Sequence, residues 1–230
     1  MYWEESDKKN GLAAPSDVVD LVYKIECRSL PVDHAHSLSR AISENLPWFA
    51  EESLAGLHPV HIPDSGNGWM RSDEPDEIMH LSRRTRLILR LPRHRVQEAH
   101  GLTGRALDVN GHEIVVGSAS EKSLVSITTL FSRYVPSDET STEADFLAES
   151  ARQLQDRGIR VRKMMCGKTH SIGMPEGRMH TRSLMLAELS LEDSFNLQRR
   201  GLGELQQLGC GVFIPHKDIA EVSSADNGSN

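Results

Sequence analysis

The segment Gly201–Lys217, GLGELQQLGCGVFIPHK, contains two Gly-x-Gly pairs separated by five residues, and the second pair leads directly into a short apolar run. Glycine adopts positive φ without strain and allows a backbone to approach a ligand closely. A helix C-cap followed by a tight turn would account for one such pair. Two pairs this close together favour a loop that either turns twice or presents N–H groups to an anion such as phosphate. The four glycines are Gly201, Gly203, Gly209 and Gly211.

The first half of the chain reads as alternating strands and helices. Apolar and polar residues alternate within Val18–Leu30, which predicts a half-buried strand, and a helix follows with Asp33 as its N-cap and Pro47 as its stop. A second alternating strand covers Arg84–Leu91, and the Asn110–Gly111 dipeptide is typical of a type I′ hairpin turn. The order is β, α, β, β, α, β, with a hairpin at the last strand.

The second half repeats this order and ends in the glycine-rich loop. Its predicted elements are a strand over Leu124–Val135, a helix over Ala144–Leu154, a strand over Ile159–Met165, a loop over Gly167–Gly177, a strand over His180–Leu189, a helix capped by Ser190 and, after the glycines, a strand over Val212–Pro215. We therefore predict an α+β fold of two tandem ferredoxin-like, RRM-like βαββαβ units, over residues 17–118 and 119–218. Residues 1–16 and 219–230 are expected to be flexible termini.

Composition narrows the class of protein. The chain has 230 residues, of which 38% are hydrophobic, so it can form one large core or two smaller ones. Its apolar runs are too short for a membrane span, and its first residues lack the order of a signal peptide, so we expect a cytoplasmic protein. Three cysteines without a C-x-x-C pair indicate neither a disulfide framework nor a zinc site, and no cofactor is expected.

The net charge of −7 hides two basic blocks. Residues 83–105 contain seven arginines and one acid, and residues 157–182 contain five arginines, two lysines and one acid. Each block is suited to phosphate contacts, although a solvated face or pairing with acids would explain the charge equally well. Only 5% of the residues are aromatic, so we expect arginine–phosphate contacts to dominate over base stacking if RNA binds.

Three segments carry a family resemblance. Gly201–Lys217, Leu30–Leu38 (LPVDHAHSL) and Ser82–Pro92 (SRRTRLILRLP) resemble the CRISPR repeat-associated RAMP superfamily, and specifically its processing endoribonucleases of the MYXAN subtype. The resemblance implies a metal-independent enzyme that cuts CRISPR repeat RNA in precursor transcripts. In that family the ribose 2′-hydroxyl attacks the phosphate, leaving a 2′,3′-cyclic phosphate and a 5′-hydroxyl. The enzyme is then expected to stay on the guide RNA hairpin as a subunit of a surveillance complex.

The resemblance also implies site residues. The family places its catalytic histidine on or near the first helix, which points to His34, at the start of that helix, with His36 in reserve; His216 and Lys217 are further candidates. The predicted RNA contacts are the four glycines together with Arg83, Arg84, Arg86, Arg90, Arg93, Arg95, Arg160, Arg162, Lys163 and Lys168. Two alternatives stay open, namely a non-catalytic subunit that binds the repeat hairpin and a ferredoxin-like regulatory protein that binds a small molecule.

Overall fold

The computed structural model describes residues 17–61 and 77–216. Its first half contains seven strands and two helices, joined in part by short 3-10 helices. They are β1 (Val18–Glu26), β2 (Ser29–Pro31), α1 (Ala35–Asn45), β3 (Gly56–His58), β4 (Ile78–His80), β5 (Arg86–Pro92), α2 (Val96–Ala99), β6 (Ala106–Val109) and β7 (His112–Ser123). Five of these strands form an antiparallel sheet in the order β3-β5-β1-β7-β6, and β2 pairs separately with β4.

The second half forms a separate four-stranded sheet. Its elements are β8 (Leu130–Pro136), α3 (Glu143–Asp156), β9 (Lys163–Met174), β10 (Gly177–Ala187), α4 (Leu191–Arg200) and β11 (Ile214–Pro215). The sheet order is β11-β8-β10-β9, with every neighbouring pair antiparallel. When the extra edge strand β6 is left out, both sheets follow the ferredoxin-like order, in which the first and third strands lie in the centre. The predicted tandem fold is confirmed.

Alternation along the strands sets the two cores. In β1, Val19, Leu21 and Tyr23 are buried and pack in one cluster with Leu38 and Ile42 of α1. Alternate residues of β1 and β5, such as Asp20 and Arg90, point to the other side of the first sheet, away from α1. In the second sheet, residues such as Leu130 and Leu186 are buried in the core that also contains residues of α3 and α4.

Local signals in the sequence agree with these elements. Asn110 and Gly111 have φ of 53° and 79°, as the predicted type I′ turn requires. Ser190 caps α4 by accepting a hydrogen bond from the Asp193 N–H at 3.0 Å, as predicted. The expected boundary between residues 118 and 119 falls inside β7, which continues to Ser123. The predictions for residues 1–16, Lys217 and residues 219–230 lie outside the described residues.

The predicted loop over Gly167–Gly177 is wrong. The structure continues β9 as far as Met174, where a tight turn leads into β10. Its glycines mark close approaches rather than a loop, because a Cβ at Gly167 would lie 2.5 Å from the Ser183 Oγ and one at Gly173 would lie 2.7 Å from the Asp33 Oδ2. Pairing along most of the length of β10 outweighs the low strand preference of glycine.

No helix among the described residues is long and apolar enough to cross a membrane.

Candidate functional site

The start of α1 holds the predicted catalytic histidine. His34 occupies the N-cap position and is only 2% exposed. Its Nδ1 lies 2.9 Å from the backbone oxygens of both Pro31 and Val32, so this nitrogen carries the hydrogen and donates it. Nε2 is then the unprotonated nitrogen, and it is buried with no hydrogen-bond partner in the part of the chain that the structure describes. A buried polar atom without a partner is uncommon and is often functional.

Burial also sets the charge of His34. Removal from water lowers the pKa of the imidazole, while the two carbonyl oxygens and the neighbouring Asp33 act in the opposite direction, and the net pKa lies below the ordinary value. The ring is therefore neutral near pH 7, which is the form that accepts a proton. His36, the reserve candidate, lies in the first turn of α1 and is half-buried.

Asp33 ties the start of α1 to the second sheet, and its predicted role as N-cap is wrong. Its carboxylate accepts hydrogen bonds from the Gly173 N–H at 2.9 and 3.0 Å and from Arg178 at 3.3 Å. Beside it, Ala35 packs in one apolar cluster with Ile172 of β9 and with Leu208 and Cys210 of the glycine-rich loop. His34 thus lies where the two sheets meet.

Two residues near this junction were not predicted from the sequence. Tyr134 of β8 and His170 of β9 form an edge-to-face ring pair with centroids 5.4 Å apart. Both border a small cleft whose other side is formed by Val32, Asp33 and Ala35. The sequence gives no signal for this pair, because only the strand order β8-β10-β9 brings the two rings together.

The structure does not bring His216 to His34. The His216 N–H donates to the Thr129 oxygen at 3.1 Å, and its ring lies 5.8 Å from that of Phe131. Phe131 is three residues before Tyr134, about 10 Å along β8. His216 therefore sits towards the opposite end of β8 from the start of α1.

Arg90 is buried, and its prediction as an RNA contact is wrong. It is 3% exposed, and its guanidinium pairs with both carboxylate oxygens of Asp20, at 2.8 and 3.1 Å. The same group donates to the backbone oxygens of Gln198 and Phe213, each at 2.7 Å. Burial would raise the pKa of Asp20, but Arg90 and His58 outweigh it and hold that pKa well below its usual range. Arg90 joins the two halves of the molecule.

The other predicted arginines of the first block divide into two groups. Arg93 pairs with Glu121, and Arg95 pairs with Glu52 and Glu98, which is the pairing with acids that the charge pattern left open. Arg83 and Arg84 are exposed. A surface groove, which we call the basic groove, is lined by Ile25, Cys27 and Leu81, by one acid, Glu26, and by the basic residues Lys24, Arg28, His80, Arg83 and Arg86.

The residues of the second block that were predicted to contact RNA lie on and just before β9. Arg160, Arg162 and Lys168 are exposed, whereas Lys163 forms an ion pair with Glu188 at 2.5 Å. Lys163 and Lys168 are part of β9, Arg160 and Arg162 come just before it, and all four belong to the same unit as the glycine-rich loop. Their predicted contact with RNA stays a prediction.

The glycine-rich loop is built for packing. All four glycines have φ between 62° and 85°. A Cβ at Gly211 would lie 1.7 Å from the Leu202 oxygen, and one at Gly209 would lie 2.7 Å from Pro59. The N–H groups of Gly201, Gly209 and Gly211 donate to backbone oxygens within the chain, so the interpretation of an anion cradle is wrong for these three. Their role in RNA binding stays a prediction, as does that of the half-buried Gly203.

Across residues 17–61 and 77–216, no three His, Cys, Asp or Glu side chains form a group that could hold a metal ion.

Solved structures of known proteins share this fold. A CRISPR-associated protein Cas6 superposes with a TM-score of 0.54 at 12% identity, over 87% of this chain and 100% of that one. A RAMP protein described as binding different RNA substrates gives 0.54 at 13% identity, over 86% and 100%. The CRISPR endoribonuclease Cse3 bound to a 19-nucleotide RNA gives 0.52 at 14% identity, over 88% and 100%. At these identities the likeness shows the fold.

Sequence comparison identifies the family. The CRISPR-associated endonuclease Cas6 of Myxococcus xanthus strain DK1622 is 28% identical over 206 residues, which cover 90% of this chain and 85% of that protein. The family model described as Cas6 Crispr matches residues 19–218. This match covers most of both units, and the resemblance of the three sequence segments is confirmed: the chain belongs to the Cas6 family.

Proposed function

We propose that this protein is a metal-independent endoribonuclease that cuts CRISPR repeat RNA in precursor transcripts. The observation that carries the proposal is the state of His34, whose ring is neutral, held through Nδ1 and left with a buried, unpartnered Nε2 where the two sheets meet. The Myxococcus relative is named an endonuclease, which agrees with this assignment. Family membership favours an RNA function over the small-molecule alternative.

In the proposed reaction His34 acts as the general base. Its Nε2 accepts the proton of the ribose 2′-hydroxyl, the 2′-oxygen attacks phosphorus, and the bond from phosphorus to the 5′-oxygen breaks. The products are a 2′,3′-cyclic phosphate and a 5′-hydroxyl once the leaving oxygen takes up a proton. His170 is the candidate donor, because it borders the same cleft as the residues on either side of His34.

The burial of His34 adds a requirement. A side chain that is 2% exposed cannot meet a 2′-hydroxyl unless RNA binding uncovers Nε2. Catalytic hydrogen bonds commonly tighten only in the substrate complex. The loops at the start of α1 must therefore shift, or the imidazole must rotate, when the repeat binds.

The repeat hairpin is proposed to lie along the basic groove and the basic residues of β9. Positive charge there offsets phosphate charge, which dominates affinity for RNA and makes it depend on salt. After cleavage the protein is proposed to stay on the hairpin as a subunit of a guide-RNA surveillance complex.

Cleavage of a repeat hairpin in excess EDTA tests the enzyme proposal. We expect cutting by the unmodified protein, a loss of about 100-fold or more in His34→Ala, and a much smaller loss in His36→Ala. A 2′-deoxy substitution at the cleaved position should abolish cutting and leave binding intact. Cutting that needs an added metal ion, or that survives the 2′-deoxy substitution, would refute the mechanism.

The burial of His34 also favours a second candidate, a non-catalytic subunit that holds the repeat hairpin. Tight hairpin binding with no cleavage at any pH or salt concentration would support this candidate over the first. A chain that does not bind the hairpin would exclude both.

A further inference from the structure

Four apolar side chains lie side by side across the second sheet. In the strand register Ile214 is opposite Phe131, Phe131 is opposite Met185, and Met185 is opposite Met165. We call these four residues the apolar row. The next residues along these strands, such as Leu130 and Leu186, are buried in the core with α3 and α4. Because successive side chains of a strand point to opposite faces, the row faces away from the helices.

The apolar row is open to solvent among the described residues. Met165 is 56% exposed and Ile214 is 37% exposed, while Phe131 and Met185 are half-buried. The ring of His216 lies against that of Phe131, with centroids 5.8 Å apart and an angle of 50° between the planes. Phe131 lies on the first strand of the ferredoxin-like order, and RNA-recognition modules stack bases on aromatic rings of the sheet face that points away from the helices.

Cations flank the row along the strands. Lys163 is two residues before Met165 on β9 and pairs with Glu188. Arg133 is two residues after Phe131 on β8, and its Nη2 lies 2.6 Å from the His61 Nε2. Aromatic and apolar side chains between positive charges are the arrangement that binds single-stranded nucleic acid, since bases stack and phosphates lie beside the cations. Arg133 offers this positive charge beside Phe131, whereas the charge of Lys163 is shared with Glu188, and the ring together with the guanidinium favours RNA over a protein partner.

We propose that the apolar row and His216 form a stacking platform for unpaired nucleotides of the repeat RNA. The inference rests on the proposed function and names a second contact with the same substrate. The platform is separate from the cleavage site, since Phe131 lies about 10 Å along β8 from Tyr134, which borders the cleft at the start of α1. His216 thereby has a binding role in place of the catalytic one predicted from sequence.

Fluorescence anisotropy of the full-length protein with a labelled oligouridylate of about twelve nucleotides tests the platform. We expect Phe131→Ala to weaken binding by about tenfold, because stacking on one ring contributes a factor of this order. Phe131→Leu keeps the apolar surface and removes the ring, so it should weaken binding nearly as much. Val125→Ala is the matched control, since Val125 is 49% exposed and lies outside the row.

Several results would overturn the platform. These are an oligouridylate that does not bind the unmodified protein, equal binding by Phe131→Ala, and full affinity in Phe131→Leu, which would indicate a merely apolar surface such as a protein contact. Photocrosslinking with 4-thiouridine gives a second measurement that does not depend on a variant. The crosslinked peptide should contain Phe131 or His216, and crosslinks found only elsewhere would contradict the proposal.

The two proposals fail in different ways. His34→Ala should lose cleavage and keep its affinity for the oligouridylate. If the hairpin is cut normally but the oligouridylate does not bind, only the platform is wrong. If the platform binds but no condition gives cleavage, the enzyme proposal is wrong and the platform stands.

Discussion

The two sheets share one strand order, but their faces that point away from the helices have different surroundings. On the first sheet, Arg90 and Asp20 are covered by the second unit, where Gln198 and Phe213 supply backbone acceptors. Val18, on the same face, packs with Phe195 of α4. On the second sheet, part of the corresponding face carries the apolar row and stays open to solvent. One face therefore serves assembly, while the other is available to a ligand.

Among the changes that test this comparison, removal of Arg90 from the covered face of the first sheet should have one of the two largest effects on stability. Arg90→Ala leaves the half-buried Asp20 carboxylate with His58 as its remaining partner and removes the donor to two carbonyl oxygens, so we expect a loss of about 3 kcal/mol in the free energy of unfolding. Urea unfolding measures it. Arg84→Ala, at an exposed position of the same block, should leave the unfolding midpoint unchanged. A similar midpoint for both variants would show that the covered face does not depend on this ion pair.

Gly211→Ala should break the loop that packs against the first sheet. The added Cβ would overlap the Leu202 oxygen at 1.7 Å, and φ is 64°, so we expect a loss of about 3 kcal/mol or more. Gly203→Ala is the matched control, because φ is 85° but nothing lies within 4 Å of its Cβ, and a loss of about 1 kcal/mol is expected. Thermal unfolding of the two variants separates overlap from backbone strain. Equal losses would mean that the overlap is relieved at no cost.

Acid should weaken the covered face. The folded pKa of Asp20 is depressed, so its contribution to stability is complete above the unfolded pKa of about 3.9 and is lost as the pH falls from there towards the folded value. In that window we expect up to about 1.4 kcal/mol per pH unit from this group. Asp20→Asn should flatten the dependence of the unfolding free energy on pH below pH 4, whereas Asp138→Asn, at an exposed position, should not. An unchanged slope in Asp20→Asn would contradict the assignment.

The smallest expected effect concerns the exposed end of the first sheet. Arg83→Ala in the basic groove should weaken binding of the repeat hairpin severalfold and reduce the salt dependence of the binding constant by about one phosphate contact. Arg93→Ala should change binding less, since Arg93 pairs with Glu121. Hairpin binding titrations over a range of salt concentrations provide the comparison. Equal effects of the two variants would remove the basic groove as a specific contact.

Local signals were sufficient for the order of elements. The Asn110–Gly111 turn and the Ser190 cap depend on neighbouring residues, so the sequence predicted them correctly. Arg90 was misassigned because the alternation of arginine with leucine gives the same sequence pattern for a solvated sheet face and for a face that another unit covers. The pairing of Tyr134 with His170 depends on the register of strands far apart in sequence. A single chain offers no residue pattern for such contacts.

Glycine gave the most misleading signal. The same positive φ that allows a backbone to approach an anion also allows it to approach another backbone. Only the partners of the N–H groups distinguish the two, and in Gly201, Gly209 and Gly211 these partners are oxygens of the chain itself. The N–H groups of these three glycines are therefore not free to bind an anion, and the predicted contact of the loop with RNA stays a prediction.

The contact between Asp33 and Gly173 connects the start of α1 directly to the hairpin of β9 and β10. The carboxylate occupies the space that a side chain at Gly173 would need, and Arg178 of the same hairpin donates a hydrogen bond to it. Asp33 follows any displacement of the hairpin for as long as these bonds hold, and His34 is the next residue in the chain. A displacement of β9 and β10, such as one caused by a bound ligand, would therefore also shift the backbone next to the His34 imidazole.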